Sequence, residues 1–335
     1  MKIINQEAIV VPHTGTSVYK TIENIARTCY KSESTNTTVD SSKRFVANLI
    51  RSGHGSTIEH EYVYFKLDES LATILQYKTP KCILRYINIA NNYVSGSFRA
   101  WLDIYEKFFS DTSSYSRLFP SIKDIDVSIV MELVRLVSVA YPEIIKYDLS
   151  GYEIDNSLGN IYMMSRDDFI YDVITNNSEE MADYILGETL IHSIKFITNR
   201  AIANELVRHR HNTSFAQESQ RYVSYSSDKY GNEITVIAPL FSQGTRDYDE
   251  WHYAMEWCET VYMNMRSRGV SPQIARGVLP NDCKTEIVVT ATENEWQHII
   301  NLRYYGTTGS PHPQMRQLME LALPILKSES NNRIK

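Results

Sequence analysis

Two stretches of this chain pass from a strand pattern into a helix pattern with almost nothing between them. Residues 191–198 (IHSIKFIT) read as a strand, and 200–210 follow with Ile202, Ala203, Leu206 and Val207 on one side of a helix. Residues 285–292 (TEIVVTAT) read as a second strand, and a helix follows over 293–303. A third strand pattern, EYVYFKL at 61–67, follows the loop SGHGSTIEH at 52–60. Further helices are expected over 21–30, where Ile22, Ile25, Ala26 and Cys29 recur at helical spacing, and over 42–52. Others are expected over 126–141, stopped by Pro142, and over 248–268, ended by Gly269. Ser271-Pro272 opens a helix that Leu279-Pro280 breaks, and a last helix covers 313–327. The intervening stretch, about 70–185, reads as a mostly helical insertion with loops at 110–116 and 156–168. The whole of 1–335 is expected to be a single catalytic domain carrying that insertion.

The chain of 335 residues has ordinary globular usage, 43% hydrophobic and 22% charged. Its net charge of -6 disfavours a general nucleic-acid binder, so any anion site must be local. Cys29, Cys82, Cys258 and Cys283 lie far apart with no CxxC pair, which argues for a reducing compartment. No signal peptide is read at the start. The most apolar long stretch, 127–141, is broken by Glu132 and Arg135 and is too short to span a bilayer. A cytoplasmic protein with no membrane partner is expected.

Against that acidic background, RHRHNTSFAQESQRY at 208–222 concentrates positive charge. Arg208 and Arg210 offer planar donors for phosphate that stay charged at neutral pH. His209 and His211 can donate or stack, and Ser214, Gln217, Ser219 and Arg221 follow closely. That combination suits a nucleotide; the bland alternative is a solvated basic helix end paired with acidic neighbours. A metal site from His54, His60, His209 and His211, as in a metal-dependent hydrolase, is the competing reading. Histidines two apart do not share a helix face, and two arginines repel a cation, so no metal is expected. In 53–60 the glycines around His54 imply an unusual turn whose N–H groups can cradle phosphate. Arg276 and Arg303 are the charged residues of interest in 271–303; the bland reading gives them surface ion pairs.

Together these stretches resemble the flavin-dependent thymidylate synthases. The resemblance rests on Arg208-His209-Arg210 followed by Ser219, Arg221 and Tyr222, and on the turn Gly53-His54-Gly55-Ser56-Thr57-Ile58-Glu59-His60. It rests also on ARGVLP at 275–280, on 290–303 with its Glu295-Trp296 and closing Leu302-Arg303, and on the early ARTCY at 26–30. It covers roughly 1–70 and 190–327, in the family's order. It implies an α+β fold, a curved antiparallel sheet flanked by helices, and homotetramers whose active sites draw on several subunits. It implies reductive methylation of dUMP to dTMP, with FAD as cofactor and NADPH and 5,10-methylenetetrahydrofolate as co-substrates. By position, Ser56, Arg208, His209, Arg210, His211 and His298 correspond to the FAD site. Glu205, Arg208, Gln217, Glu218, Ser219, Gln220, Arg221 and Arg276 correspond to the dUMP site. Arg303 corresponds to the arginine that acts on the uracil ring. A catalytically inactive nucleotide- or flavin-binding relative is the alternative.

The chain departs from the family pattern in four places. The spacer 211–218 has eight residues where seven are usual. Thr292-Glu293-Asn294 stands where the family carries a flavin-contacting Asn-Leu-Arg. The long central stretch contains NYVSGSFRAW at 92–101, whose Arg99 is a candidate replacement. The loop between Arg303 and His312 is enlarged.

Overall fold

A computed structural model describes residues 1–13, 17–30, 38–109, 127–145, 159–221, 225 and 231–335. The loop expected at 110–116, the first part of that expected at 156–168, and Tyr222 lie outside the described residues. In chain order the elements are Lys2–Ile4 (β1), Glu7–Val11 (β2), Val18–Tyr30 (α1), Val39–Arg51 (α2), Tyr62–Leu67 (β3), Glu69–Lys78 (α3), Lys81–Leu84 (α4), Asn88–Ala90 (β4), Tyr93–Ser97 (β5) and Phe98–Ile104 (α5). They continue with Ser128–Ala140 (α6), Ile161–Met164 (β6), Arg166–Asn176 (α7), Glu179–Thr189 (α8), Ile191–Asn199 (β7), Arg200–Leu206 (α9), Thr213–Gln217 (β8) and Thr235–Ile237 (β9). The last are Arg246–Ser267 (α10), Pro272–Ala275 (α11), Lys284–Thr292 (β10), Glu293–Ile300 (α12) and Pro313–Glu329 (α13).

The architecture is α+β with antiparallel sheets. One sheet has the order β2-β7-β10-β8. Its centre is the antiparallel pairing of β7 with β10, from Lys284 opposite Asn199 to Thr292 opposite Ile191. Side chains alternate between the two faces of a strand. Ile194, Phe196, Ile287 and Val289 meet Trp296, Ile299 and Leu318 from α12 and α13. Val288 and Ala216 meet Ile25 of α1 on the opposite face. The strand-to-helix joints need no loop because the last residue of each strand is the cap of the helix. Asn199 closes β7, and its side chain accepts the N–H of Ile202 at 2.8 Å. Thr292 closes β10 and accepts the N–H of Glu295 at 3.4 Å. Each cap satisfies a helix N–H that has no partner within its own helix.

A second antiparallel sheet has the order β4-β5-β3-β6. Three of its strands come from the stretch read as mostly helical, and β6 overturns part of the loop expected at 156–168. Ile161–Met164 is too short to show a period of its own; it is ordered by pairing with Tyr64–Leu67 of β3. Val63, Phe65 and Leu67 pack against Leu71, Trp101 and Leu133, while Tyr64 packs on the other face with Phe169 and Ile185. The central stretch therefore shares a sheet and a core with β3. β1 and β9 form a separate parallel pair.

The helix read over 200–210 ends at Leu206. Single-turn bonds follow, from the Arg208 N–H to Glu205 O at 3.3 Å and the His209 N–H to Leu206 O at 3.1 Å. Asn212 then takes the left-handed conformation at φ 44°. The eight-residue spacer is thus absorbed by an early helix end and a left-handed asparagine, a residue type that tolerates that region. The strand β8 was not legible: TSFAQ is short and half polar, and its order comes from pairing with Ile287–Ala291. Among the described residues no helix is long and apolar enough to cross a membrane.

Candidate functional site

Arg303 sits in a π-helical turn, Asn301–Tyr305, that ends at Gly306 in the left-handed conformation (φ 71°). Such turns place side chains off the regular helix spacing. Its Nε donates to Nε2 of His209 at 3.0 Å, and its Nη1 donates to Glu205 Oε2 at 3.1 Å. His209 is buried, and its ring meets that of His298 edge to face, with centroids 6.3 Å apart. Burial pushes the His209 imidazole down to about 4, and the charges of Arg303 and His298 add to this. His209 is therefore neutral, with a lone pair on the nitrogen that faces Arg303. Burial also raises the carboxyl of Glu295, against the pull of His298 and His211. His211 Nδ1 lies 3.6 Å from Glu295 Oε2.

Glu205, His209, His211, His298 and Arg303 are thus brought together from three elements. Glu295 was missed from sequence. The signal was there: Glu295 and His298 are three apart on α12 and so share a face. His209, Glu295 and His298 also form the one group among the described residues whose ligand atoms lie close enough to hold a metal ion, within 4.8 Å of one another. His54 and His60 do not belong to it. His60 is buried and bonded through Nδ1 to Thr290 Oγ1 at 2.6 Å. Arg208 and Arg210 are exposed, and neither guanidinium has a hydrogen bond or ion pair among the described residues.

Residues 217–220 gather at the opposite end of β8, a strand of five residues whose ends stand about 14 Å apart at the usual rise. Gln217 Nε2 donates to Thr285 Oγ1 at 3.3 Å. Glu218 is buried; its carboxylate accepts from Lys284 Nζ at 3.0 Å and from the Glu286 N–H at 3.2 Å. Lys284 also reaches Glu286 Oε1 at 2.7 Å. The Ser219 N–H donates to Cys29 O at 3.1 Å, and Ser219 Oγ accepts the Arg221 N–H at 3.3 Å. Gln220 Nε2 contacts Cys283 Sγ at 3.6 Å. Arg276 is exposed just beyond α11.

The turn Gly55–His60 is a short 3₁₀ helix docked on β8, where Ser214 Oγ donates to Glu59 O at 3.3 Å. Ser56 is exposed and Gly55 is buried. A Cβ on Gly55 would overlap Nη1 of Arg99 and stand 2.8 Å from its Cζ, so glycine is what lets Arg99 lie there.

The triplet 292–294 is occupied within the protein. Thr292 caps α12. Glu293 is buried and accepts both Nε and Nη2 of Arg333 at 2.7 Å, and Nε2 of His192 at 2.8 Å. Burial alone would raise its carboxyl; Arg333 and His192 outweigh burial and hold it low. Asn294 Nδ2 donates to Glu188 Oε1 at 2.8 Å.

The model of the family described as thymidylate synthase complementing protein matches residues 10–187 and 188–330. The flavin-dependent thymidylate synthase of Geobacter sulfurreducens is 35% identical over 105 residues, covering 31% of this chain and 44% of that protein. That of Pyrococcus furiosus is 35% identical over 137 residues (38% and 55%), and that of Corynebacterium aurimucosum 34% over 148 residues (39% and 55%). The matched segments span about half the length of these curated relatives. With nearly the whole chain matched by the family model, this protein belongs to the thymidylate synthase complementing protein family, in which the relatives it resembles are flavin-dependent thymidylate synthases.

Proposed function

We propose that this chain is a flavin-dependent thymidylate synthase, converting dUMP to dTMP. One observation carries the reading: Glu205 and His209, from the RHR region, meet Arg303 nearly a hundred residues later at 3.0–3.1 Å. Three positions singled out by the resemblance thus form one cluster, with a fixed guanidinium at its centre. In this reading Arg303 faces the pyrimidine and stabilises negative charge that develops on it, while Glu205 and His209 hold its plane. Gln217, Glu218, Ser219, Gln220, Arg221 and Arg276 serve the nucleotide's phosphate and sugar. Glu218, tied to Lys284, shapes that segment.

The residues present fit FAD. The exposed guanidinium groups of Arg208 and Arg210 have no protein acceptor among the described residues, Ser56 offers an exposed hydroxyl, and His298 stands exposed beside His209. Bound flavin would supply the redox chemistry, drawing on NADPH, with 5,10-methylenetetrahydrofolate as the carbon source. The two candidate groups lie at opposite ends of β8, which favours sites completed by another copy of the chain, as in a homotetramer. The scattered thiols favour the cytoplasm.

The test is an absorbance spectrum of the protein with added FAD, then NADPH oxidation with and without dUMP. Bound flavin with dUMP-dependent oxidation is expected. Binding of dUMP without turnover would instead identify an inactive relative.

A further inference from the structure

Arg99 is held in place by a motif that the proposed function leaves unused. Gly96 makes room for the fully buried Trp101, whose Nε1 donates to Gly96 O at 3.1 Å. Ser97 caps α5 by accepting the Ala100 N–H at 3.1 Å. The Phe98 N–H donates to Glu61 O at 3.0 Å, tying α5 to the end of the Gly55–His60 turn. SGSFRAW therefore fixes one rigid helical turn against GHGSTIEH, and Arg99 leaves it toward Gly55.

The guanidinium has spare capacity there. Its Nε donates to Asp103 Oδ1 at 2.7 Å, and neither Nη has a protein acceptor among the described residues. The side chain is 35% exposed. Glu59 feels the charge of Arg99 but makes no ion pair with it, and burial raises its carboxyl. Two donors thus stand beside an exposed serine at a glycine turn, and an arginine fork matches phosphate oxygens. Position 294, where the resemblance puts an arginine, holds an asparagine tied to Glu188.

We propose that Arg99 binds the diphosphate of the flavin dinucleotide, supplied from the central stretch in place of the arginine missing at 294. The proposal rests on the flavin reading above. It commits to the flavin phosphates and not to that of dUMP, because the Gly55–Ser56 turn is where the resemblance locates FAD.

The experiment titrates the full-length protein separately with FAD, riboflavin and dUMP, following flavin fluorescence for the first two and equilibrium dialysis for the third. Loss of hydrogen bonds to a charged group predicts that Arg99→Ala weakens FAD by about tenfold or more. Riboflavin, which has no phosphate, and dUMP should change less than about twofold by the same reasoning. Arg99→Lys should recover part of the loss. Gly55→Ala, which displaces the guanidinium without removing its charge, should weaken FAD in wild type and add nothing in the Arg99→Ala background. Unchanged FAD affinity in Arg99→Lys and Arg99→Ala overturns the proposal. So does an equal loss for riboflavin, which would mean a structural role, or a loss confined to dUMP. Wild-type protein that takes up no FAD at all would overturn the flavin reading itself.

Discussion

The Nε of Arg303 donates to Nε2 of His209 at 3.0 Å, so the accepting nitrogen carries no proton. The same guanidinium reaches Glu205 Oε2 at 3.1 Å. A planar group with two fixed partners cannot be replaced by a point charge on a flexible stem. Arg303→Ala, and also Arg303→Lys, should therefore lower kcat by about a hundredfold or more, the loss seen when a preorganised donor to developing charge is removed. FAD binding should persist. A steady-state assay with a parallel flavin titration checks both, and near-normal kcat in Arg303→Lys would exclude the fork as the reason for arginine.

Two buried imidazoles should make the fold acid-sensitive. His209 is pushed down to about 4 and His60 to about 3, in both cases chiefly by burial. In the unfolded chain both titrate near the ordinary value of 6.5. Between the folded values and 6.5 the unfolded chain binds protons that the native chain refuses. Stability is therefore complete above that range and falls as the pH drops through it, by up to about 1.4 kcal/mol per pH unit for each group. Urea denaturation at a series of pH values between 7.5 and 4 should show the slope, and His209→Asn should reduce it.

Among the described residues, Arg333 and His192 are the partners that balance the buried charge of Glu293, and Arg333 is the one bound through two N–H groups. Removing one partner of a buried pair costs about 3–5 kcal/mol, because the other charge is left behind. Arg333→Ala should show a loss of that order in chemical denaturation. Adding Glu293→Gln should recover part of it, and a single variant as stable as wild type would contradict the assignment.

Lys284 stands between two buried carboxylates, those of Glu218 at 3.0 Å and Glu286 at 2.7 Å. Lys284→Ala should cost a similar amount, about 3 kcal/mol or more. It should also weaken dUMP, because Glu218 anchors the segment leading to Ser219 and Arg221. Isothermal titration with dUMP, at a temperature where the variant is folded, separates the two effects.

The parts of this molecule that could be read directly are those whose order is local. β7 and β10 are nine-residue strands rich in Ile, Val, Phe and Thr, and each helix that follows starts from a capping residue already present at the strand's end. β8 and β6 carry no such pattern. Their order comes from partners distant in the chain, Ile287–Ala291 for one and Tyr64–Leu67 for the other. Val207-Arg208 continues a helical rhythm past the end of α9, and only the turn into β8 stops it. In the candidate site, the resemblance selected Glu205, His209, His298 and Arg303, and these do converge. It gave no warning that residues 208–211 and 217–220 would be parted by the length of a strand. Thr292 and Asn294 stand where the resemblance expects a flavin-contacting Asn and Arg; the α12 cap and Glu188, the latter far away in the chain, explain what those side chains do instead.

The contact between Gly55 and Arg99 ties together two positions that nothing local connects. While an arginine lies over the turn, a side chain at 55 displaces its guanidinium; once the arginine is gone, alanine or serine there displaces nothing. The two sites should therefore change as a pair among related sequences. Members that lack the central stretch should show freer choice at the position of Gly55, and a grafted SGSFRAW should seat its arginine over the turn only where that position is glycine.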